Sequence, residues 1–303
     1  FTVMTYNDGW PEHPSGGPES RAWGWNLGPS AIDIAVLQAK YGANPETGAG
    51  DTTYRLAGRD KEGTGYQAIW DVGGEDRIVH KGATGAVIDL RAATLEAEPG
   101  GGGFVSHAAG VHGGFTIAHG VVIEAAKGGR GDDLLTGNAA DNTLSGRGGA
   151  DHIAGGGGRD LMSGGKGRDQ LDGEGGRDTL RGNKGSDVLN GGGGHDRLYG
   201  GDGNDELNGG AGRDFLTGGP GRNTLTGGKG SDTFVFTKAT RRDTVTDFNP
   251  ADRLDLRAFD LSDQAAVQDA AEVIGNATHI ALGETLIVLR GFTSELADNL
   301  VLL

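Results

Sequence analysis

Between Asp133 and Asp232 an aspartate or asparagine recurs at every ninth position, twelve times in succession. In order these are Asp133, Asn142, Asp151, Asp160, Asp169, Asp178, Asp187, Asp196, Asp205, Asp214, Asn223 and Asp232. Oxygen-bearing side chains at fixed spacing, surrounded by glycine, are ligand chemistry for a hard cation. Calcium takes about six to eight oxygens from carboxylates and backbone carbonyls.

The elements that must position them follow from the rest of the repeat. Twelve nonapeptides run from Gly128 to Val235, each close to G-G-x-G-x-D-x-U-x, where U is large and apolar. Position 8 is Leu, Ile, Met or Phe in every copy, from Leu135 to Phe234. Glycines at positions 1, 2 and 4 permit positive φ and a tight loop with its carbonyls turned to one side. The x-U-x triplet is a short strand with a single inward side chain. This is the pattern of an all-β fold, a calcium-bound parallel β-roll with flanking β-sheet segments and one or two short helices. A glycine-rich flexible linker does not keep such a strict repeat phase.

Two nonapeptides make one turn, so loops on one edge are two repeats apart. Odd repeats give the row Asp133, Asp151, Asp169, Asp187, Asp205, Asn223; even repeats give Asn142, Asp160, Asp178, Asp196, Asp214, Asp232. Each row has five gaps, so about ten calcium sites are expected in the roll. The gaps with Asn142 and Asn223 fall at row ends and should be the weaker ones. Neighbouring carboxylates about 5 Å apart repel by roughly 3 kcal/mol at an effective dielectric of about 20. Each nonapeptide buries only one large side chain, so the roll is expected to be disordered without calcium and to fold on binding it.

Composition agrees. Glycine is 61 of 303 residues, about three times the usual ~7%. The net charge of −15 argues against nucleic acid and anionic membranes as partners, although ten bound ions would reverse the balance. There is no cysteine, so metal rather than disulfides would hold a secreted fold. No apolar run is long enough to span a membrane, and a monomer is expected.

The segments outside the array divide the chain further. Residues 1–28 read as irregular loop, 29–127 as a helix plus β-sheet leading into the roll, 128–235 as the roll and 236–303 as a β cap over its open end. Ser30 caps a helix that Gly42 ends. Short strands are expected at Gly65–Trp70, Val87–Leu90 and Phe115–Ala118, a helix near Ser262–Ile274, and a hairpin of Thr278–Leu282 with Glu284–Arg290 about Gly283.

Several stretches in order resemble the C-terminal half of the serralysin-type metallopeptidases, with their RTX repeats. They are Ala31-Ile32-Asp33-Ile34-Ala35, Tyr41-Gly42-Ala43-Asn44, Gly50-Asp51-Thr52, Ile69 to Asp76, Ile117 to Glu124, the array itself and Asp247-Phe248 to Phe259. The resemblance implies roll sites that combine a position-6 side chain with carbonyls of positions 2 and 4 of the same loop. Here those are Gly129, Gly131, Gly149, Gly156, Gly158, Gly165, Gly167, Gly185, Gly192, Gly194, Gly201, Gly203, Gly210, Gly212, Gly219, Gly221 and Gly230. The loop one turn later would add carbonyls of positions 1 and 3 and its own Asp. The resemblance also implies a few calcium sites before the roll, at Gly50 and Thr52, at Asp71, Gly73, Gly74 and Asp76, and at Glu124. Gly48 and Val122 depart from the family, which often has Arg and Thr there; both would act through carbonyls.

The same resemblance implies bacterial type I export to the extracellular medium. The partner would be an ABC secretion apparatus reading an uncleaved tail that ends at Leu303. Val3-Met4-Thr5-Tyr6 resembles the Met-turn of these enzymes, in which Met4 would lie under zinc and Tyr6 could ligate it. The zinc helix H-E-x-x-H-x-x-G-x-x-H is absent, as is a G-x-S-x-G elbow. His107 and His112, five apart in a glycine-rich stretch, are a poor zinc pair. The chain is therefore expected to carry no catalytic residues of its own, with zinc and the protein substrate belonging to a parent protease whose catalytic half precedes Phe1. The alternative is a free-standing roll acting as a calcium-dependent binding or adhesion module.

Overall fold

The computed structural model describes residues 25–26, 48–60, 64–94, 103–261, 264–293 and 300–301. The Met-turn residues Met4 and Tyr6 and the helix expected from Ser30 to Gly42 lie outside them. The chain forms two compact units, Phe1–Gly149 and Ala150–Leu303.

In the second unit the repeat becomes two parallel sheets. Odd repeats supply one sheet, in which Ile153 faces Leu171, Leu171 faces Leu189, Leu189 faces Leu207 and Leu207 faces Leu225. Even repeats supply the other, stacking Met162, Leu180, Leu198, Leu216 and Phe234. Every partner is two repeats on, because the chain crosses from sheet to sheet at each loop. All these position-8 side chains are fully buried. The one inward residue of each x-U-x strand thus builds the whole core between the sheets, as the period-2 geometry requires.

The roll does not end with the twelfth repeat. The strand Thr240–Val245 pairs in parallel with Gly221–Gly230, placing Val245 opposite Leu225. Arg253–Asp255 pairs with Thr233–Val235, placing Leu254 opposite Phe234. Each of these turns is slightly longer than a turn of the array, so two glycine-free decapeptides continue the coil. The expected cap is therefore partly more roll. Phe248 closes its end, 6.1 Å from Phe234 and edge-on to Phe292 at 5.0 Å.

Beyond them Thr285–Arg290 adds in parallel to Thr240–Val245, and Ala277–Leu282 returns antiparallel through a turn at Gly283-Glu284. The expected helix is shorter than Ser262–Ile274. Helix spans Gln264–Asp269, and Ala271–Ile274 is a strand pairing with Ala277–Leu282. Val273 and Ile274 are β-branched and run into a tight Gly275-Asn276 turn, which favours a hairpin over another helical turn.

The first unit has one all-parallel sheet of Thr53–Arg55, Arg77–Val79, Ala125–Lys127 and Thr143–Gly148. In its second sheet Trp25–Asn26, Gly65–Ile69 and Gly114–Ile117 pair in parallel. Ser106–Ala108 joins antiparallel to Gly114–Ile117 and to Ala86–Asp89, which pairs with Leu134–Thr136. Ile78, Ile88, Ile117 and Leu135 form its buried centre. This is the β-sheet expected to lead into the repeats, and the three expected strands lie close to their observed bounds.

Candidate calcium sites

A single hydrogen bond repeats along both rows of the second unit. The amide N–H of each row residue donates to Oδ1 of the one a turn later. Asp151 donates to Asp169, Asp169 to Asp187, Asp187 to Asp205 and Asp205 to Asn223, all at 2.9 Å. In the even row Asp160 donates to Asp178, Asp178 to Asp196 and Asp196 to Asp214 at 2.8 Å, and Asp214 to Asp232 at 2.9 Å. All these side chains are buried.

The second carboxylate oxygen is left over. Oδ2 of Asp169, Asp187, Asp196, Asp205, Asp214 and Asp232 is buried without a hydrogen-bond partner. A buried anionic oxygen with no donor costs several kcal/mol unless a cation meets it. Its neighbours are also acceptors. A β-carbon on Gly200, at position 1, would lie 2.4 Å from Asp205 Oδ2 and 2.6 Å from the Gly218 carbonyl of the following loop. Two acceptor oxygens therefore crowd one point, and no side chain fits between them.

Backbone carbonyls enter each gap from both sides. Position-2 and position-4 carbonyls point to the next loop, as when Gly156 and Gly158 O accept from Gly175 and Arg177 N–H. Position-1 and position-3 carbonyls point back, as when Gly218 and Pro220 O accept from Gly201 and Gly203 N–H. Each keeps a second lone pair. Carboxylate oxygens without donors, beside carbonyls converging from two loops, fit a hard oxygen-seeking cation. Among the described residues no cluster of three His, Cys, Asp or Glu side chains forms a metal site. A site of this design needs at most two carboxylates, with carbonyls for the rest.

Burial raises the pKa of these carboxyls, making them weaker acids. Loss of solvation pushes Asp205 up to about 7, against opposing backbone hydrogen bonding and with help from Asp187 and Asp243. Asp169, Asp214 and Asp243 rise to about 6 for the same leading reason. A carboxyl whose folded pKa is raised stabilises the metal-free fold below its unfolded pKa, and that contribution is lost as pH rises through the folded value. In EDTA, the residual far-UV β signal should therefore be greater at pH 4.5 than at pH 7.5, with sedimentation confirming a monomer. A flat or inverted profile contradicts the burial of these groups.

Two row members escape the nonapeptide pattern. Asn223 N–H donates to Asp243 Oδ1 at 3.1 Å, and Asp232 N–H to Asp252 Oδ1 at 2.9 Å. Asp243 Oδ2 is buried and unpartnered like the others. Asn223 is therefore inside its row, not at its end, so two gaps and not one pair its neutral amide with an aspartate, Asp205 on one side and Asp243 on the other. The signal was present as Asp-Thr-Val and Asp-Arg-Leu, each with Asp two positions before an apolar residue. Replacing Asp243 by Ala should raise the calcium midpoint for folding about two- to fivefold; an unchanged midpoint would remove Asp243 from the row.

The first unit carries an irregular counterpart. Thr52 N–H donates to Asp76 Oδ1, and Asp76 N–H to Glu124 Oε2, both at 2.8 Å. These steps of 24 and 48 residues repeat the amide-to-carboxylate link of the roll. Asp76 Oδ2 is again buried without a partner. Gly74 packs on Gly50, where a β-carbon would lie 2.9 Å from the Gly50 carbonyl oxygen. Asp71 accepts from Tyr54 Oη at 2.6 Å and from Gly73 N–H at 3.4 Å. The structure thus brings together the residues proposed from the resemblance. In the other row Asp133 differs, since its Oδ1 accepts from Ala86 N–H and its Oδ2 from Gly129 N–H, both at 2.6 Å. Asn142 remains close to this network, its side chain meeting Glu124 O and Asn138 N–H.

The two histidines of the poor zinc pair bond elsewhere. His112 Nδ1 faces Asp60 at 2.6 Å and His107 Nδ1 faces Val105 O at 3.1 Å. His80 is fully buried, with Nε2 at 3.0 Å from Thr84 O.

The family profile for the C terminus of serralysin, peptidase family M10, matches residues 38–285. The chain belongs to this family. Among curated serralysin-type relatives, the metallopeptidase AprA of Pseudomonas marginalis is 36% identical over 154 residues, 46% of this chain and 29% of its own. Serralysin C of Dickeya chrysanthemi is 35% identical over 145 residues, covering 45% and 27%. Serralysin of Proteus mirabilis is 35% identical over 150 residues, covering 46% and 27%. The matched segment spans under a third of each relative. The extracellular lipase LipA of Serratia marcescens shares 22% identity, with 61% of this chain and 41% of that one aligned at a TM-score of 0.36.

Proposed function

We propose that this chain is the calcium-binding, calcium-triggered folding and type I secretion module of a serralysin-like extracellular zinc metalloprotease. One observation carries the calcium part: the rows of buried Asp Oδ2 atoms that no donor meets. Calcium supplies the missing positive charge there. The residues of the chain hold the carboxylates in register through the amide-to-Oδ1 ladder and turn loop carbonyls toward each gap. Position-6 side chains and the loop glycine carbonyls would be the ligands in the roll. Asp71, Asp76, Glu124 and the carbonyls near Gly50 would be ligands ahead of it.

The metalloprotease context rests on family membership, and export on the resemblance of the whole ordered series of motifs. Zinc and the peptide substrate belong to the catalytic part, because no H-E-x-x-H segment occurs in this sequence. Calorimetric titration of calcium into the metal-free chain tests the proposal. About ten or more ions should bind per chain, with a cooperative gain of β-sheet signal. Binding of only one or two would overturn it.

A further inference from the structure

The two sheets of the second unit come from one repeat, yet their outer faces differ. In the sheet of even repeats, the outward strand positions carry Arg181, Arg197, Arg253, Tyr199 and Phe215. In the sheet of odd repeats, the outward positions of the strands His152–Ala154, Gln170–Asp172, Val188–Asn190 and Glu206–Asn208 hold no Arg, Lys, Phe, Tyr or Trp, and exposed arginines enter only on the later strands, at Arg222 and Arg242. The repeat demands neither set, since these side chains contribute nothing to the core or the loops.

The basic face is also shaped. A groove of about 530 Å³ is lined by Arg177, His195, Arg197, Arg213, Phe215 and Arg253 among others. It crosses four rung spacings, about 19 Å at ~4.8 Å each. Among the described residues the guanidinium groups of Arg177, Arg197, Arg213 and Arg253 meet no carboxylate at ion-pair distance. By contrast Arg91 and Arg257 are each held by an aspartate two positions earlier. Phe215 stands 6.1 Å from Tyr199 with the ring planes 48° apart, and Arg181 lies over the Tyr199 ring at 4.9 Å, so Phe215 is the aromatic surface beside the groove's cations. His195 Nδ1 accepts the Arg213 N–H at 2.8 Å, which leaves Nε2–H of the neutral ring free to donate outward. Asp196 and Asp214 also border the groove, but their Oδ2 atoms are buried in the loop gaps. Bound calcium would cancel their charge.

We propose that this groove binds a linear uronate-bearing polysaccharide, with Arg197 and Arg213 pairing its carboxylates and Phe215 lying against a sugar ring. The inference rests on the calcium-loaded roll proposed above. The length of the cation array calls for a chain and not a single small anion. Guanidinium groups pair carboxylates in bidentate fashion. An aromatic face beside them suits a sugar ring, which an acidic peptide does not offer.

The test titrates a hyaluronan oligosaccharide into the full chain in calcium, with folding monitored by circular dichroism. Saturable, salt-sensitive binding is expected. Arg197→Ser and Arg213→Ser should each weaken it about tenfold, while Glu206→Gln on the opposite sheet should leave it unchanged. A folded chain that does not bind, or binds equally after both arginine substitutions, overturns the inference alone. So does equal affinity for poly-glutamate or a single-stranded oligonucleotide. A chain that stays unfolded in calcium overturns the calcium reading and this one with it.

Discussion

Excess EDTA at pH 7.5 is expected to abolish most of the far-UV β-sheet signal of the chain, and millimolar calcium to restore it. Each turn of the second unit buries two large apolar side chains, such as Leu189 and Leu198, worth about 1.5–3 kcal/mol each. The same turn confines two whole nonapeptides rich in glycine, which loses more chain entropy than any other residue type. It also encloses two carboxylates whose Oδ2 atoms have no donor, as at Asp187 and Asp196. At pH 7.5 these groups are ionised in the unfolded chain, and burying them without a counter-ion is unfavourable. Calcium reverses the sign of that contribution, because a ligand that binds only the folded state stabilises it by mass action. A roll that keeps its full signal in EDTA would show that the backbone ladder alone suffices.

Substituting Gly203 by Ala should be among the most damaging single-methyl changes at the described residues. Gly203 occupies position 4 of its loop with φ +150°, and an added β-carbon would lie 1.4 Å from the Gly185 carbonyl oxygen. The obstacle is backbone, and that carbonyl points into a candidate calcium gap. Relief requires the two loops to separate, which would also break the Asp187 to Asp205 link at 2.9 Å. A loss of about 3 kcal/mol or more is expected, about 100-fold in the folding equilibrium. Gly193→Ala is the control. It sits at position 3, its β-carbon would come no closer than 3.9 Å to Glu174 O, and Ala211 already occupies the partner position. Calcium-dependent folding of both variants, followed by circular dichroism, makes the comparison. Equal midpoints would mean that the loops are not stacked at this distance.

The roll was legible because one physical requirement governs each repeat position. Position 8 must be apolar, since it is the only inward side chain, and position 6 must bear oxygen. Their joint phase set the two-repeat register before any pairing was known. Asp243 and Asp252 were missed because the segments 236–245 and 246–255 are decapeptides without glycine. They keep the Asp and apolar positions but not the loop signature. The Thr52, Asp76 and Glu124 row could not be read from period alone, since insertions stretch its steps well beyond a turn of the array. The Ala271–Ile274 strand was assigned to helix because a short apolar run has no decisive period. Nothing in residue type indicates that one oxygen of an aspartate such as Asp187 or Asp196 accepts the preceding loop's amide while the other meets no donor.

The alternation of sheets sets the smallest change in length that the molecule can tolerate. Removing a pair of nonapeptides, for instance Gly182 to Tyr199, deletes one whole coil and returns every later residue to its own side. Removing a single nonapeptide preserves every other loop and inward residue of the array, yet it exchanges left for right in all that follows. Arg213, Phe215 and Arg253 would then emerge on the opposite wall, beside side chains such as Asp172 and Glu206. The loops count in nines, but the surface counts in eighteens. Lineages that gain or lose single nonapeptides would scramble whatever the arginine-bearing wall recognises, while those that change by pairs would only lengthen or shorten it.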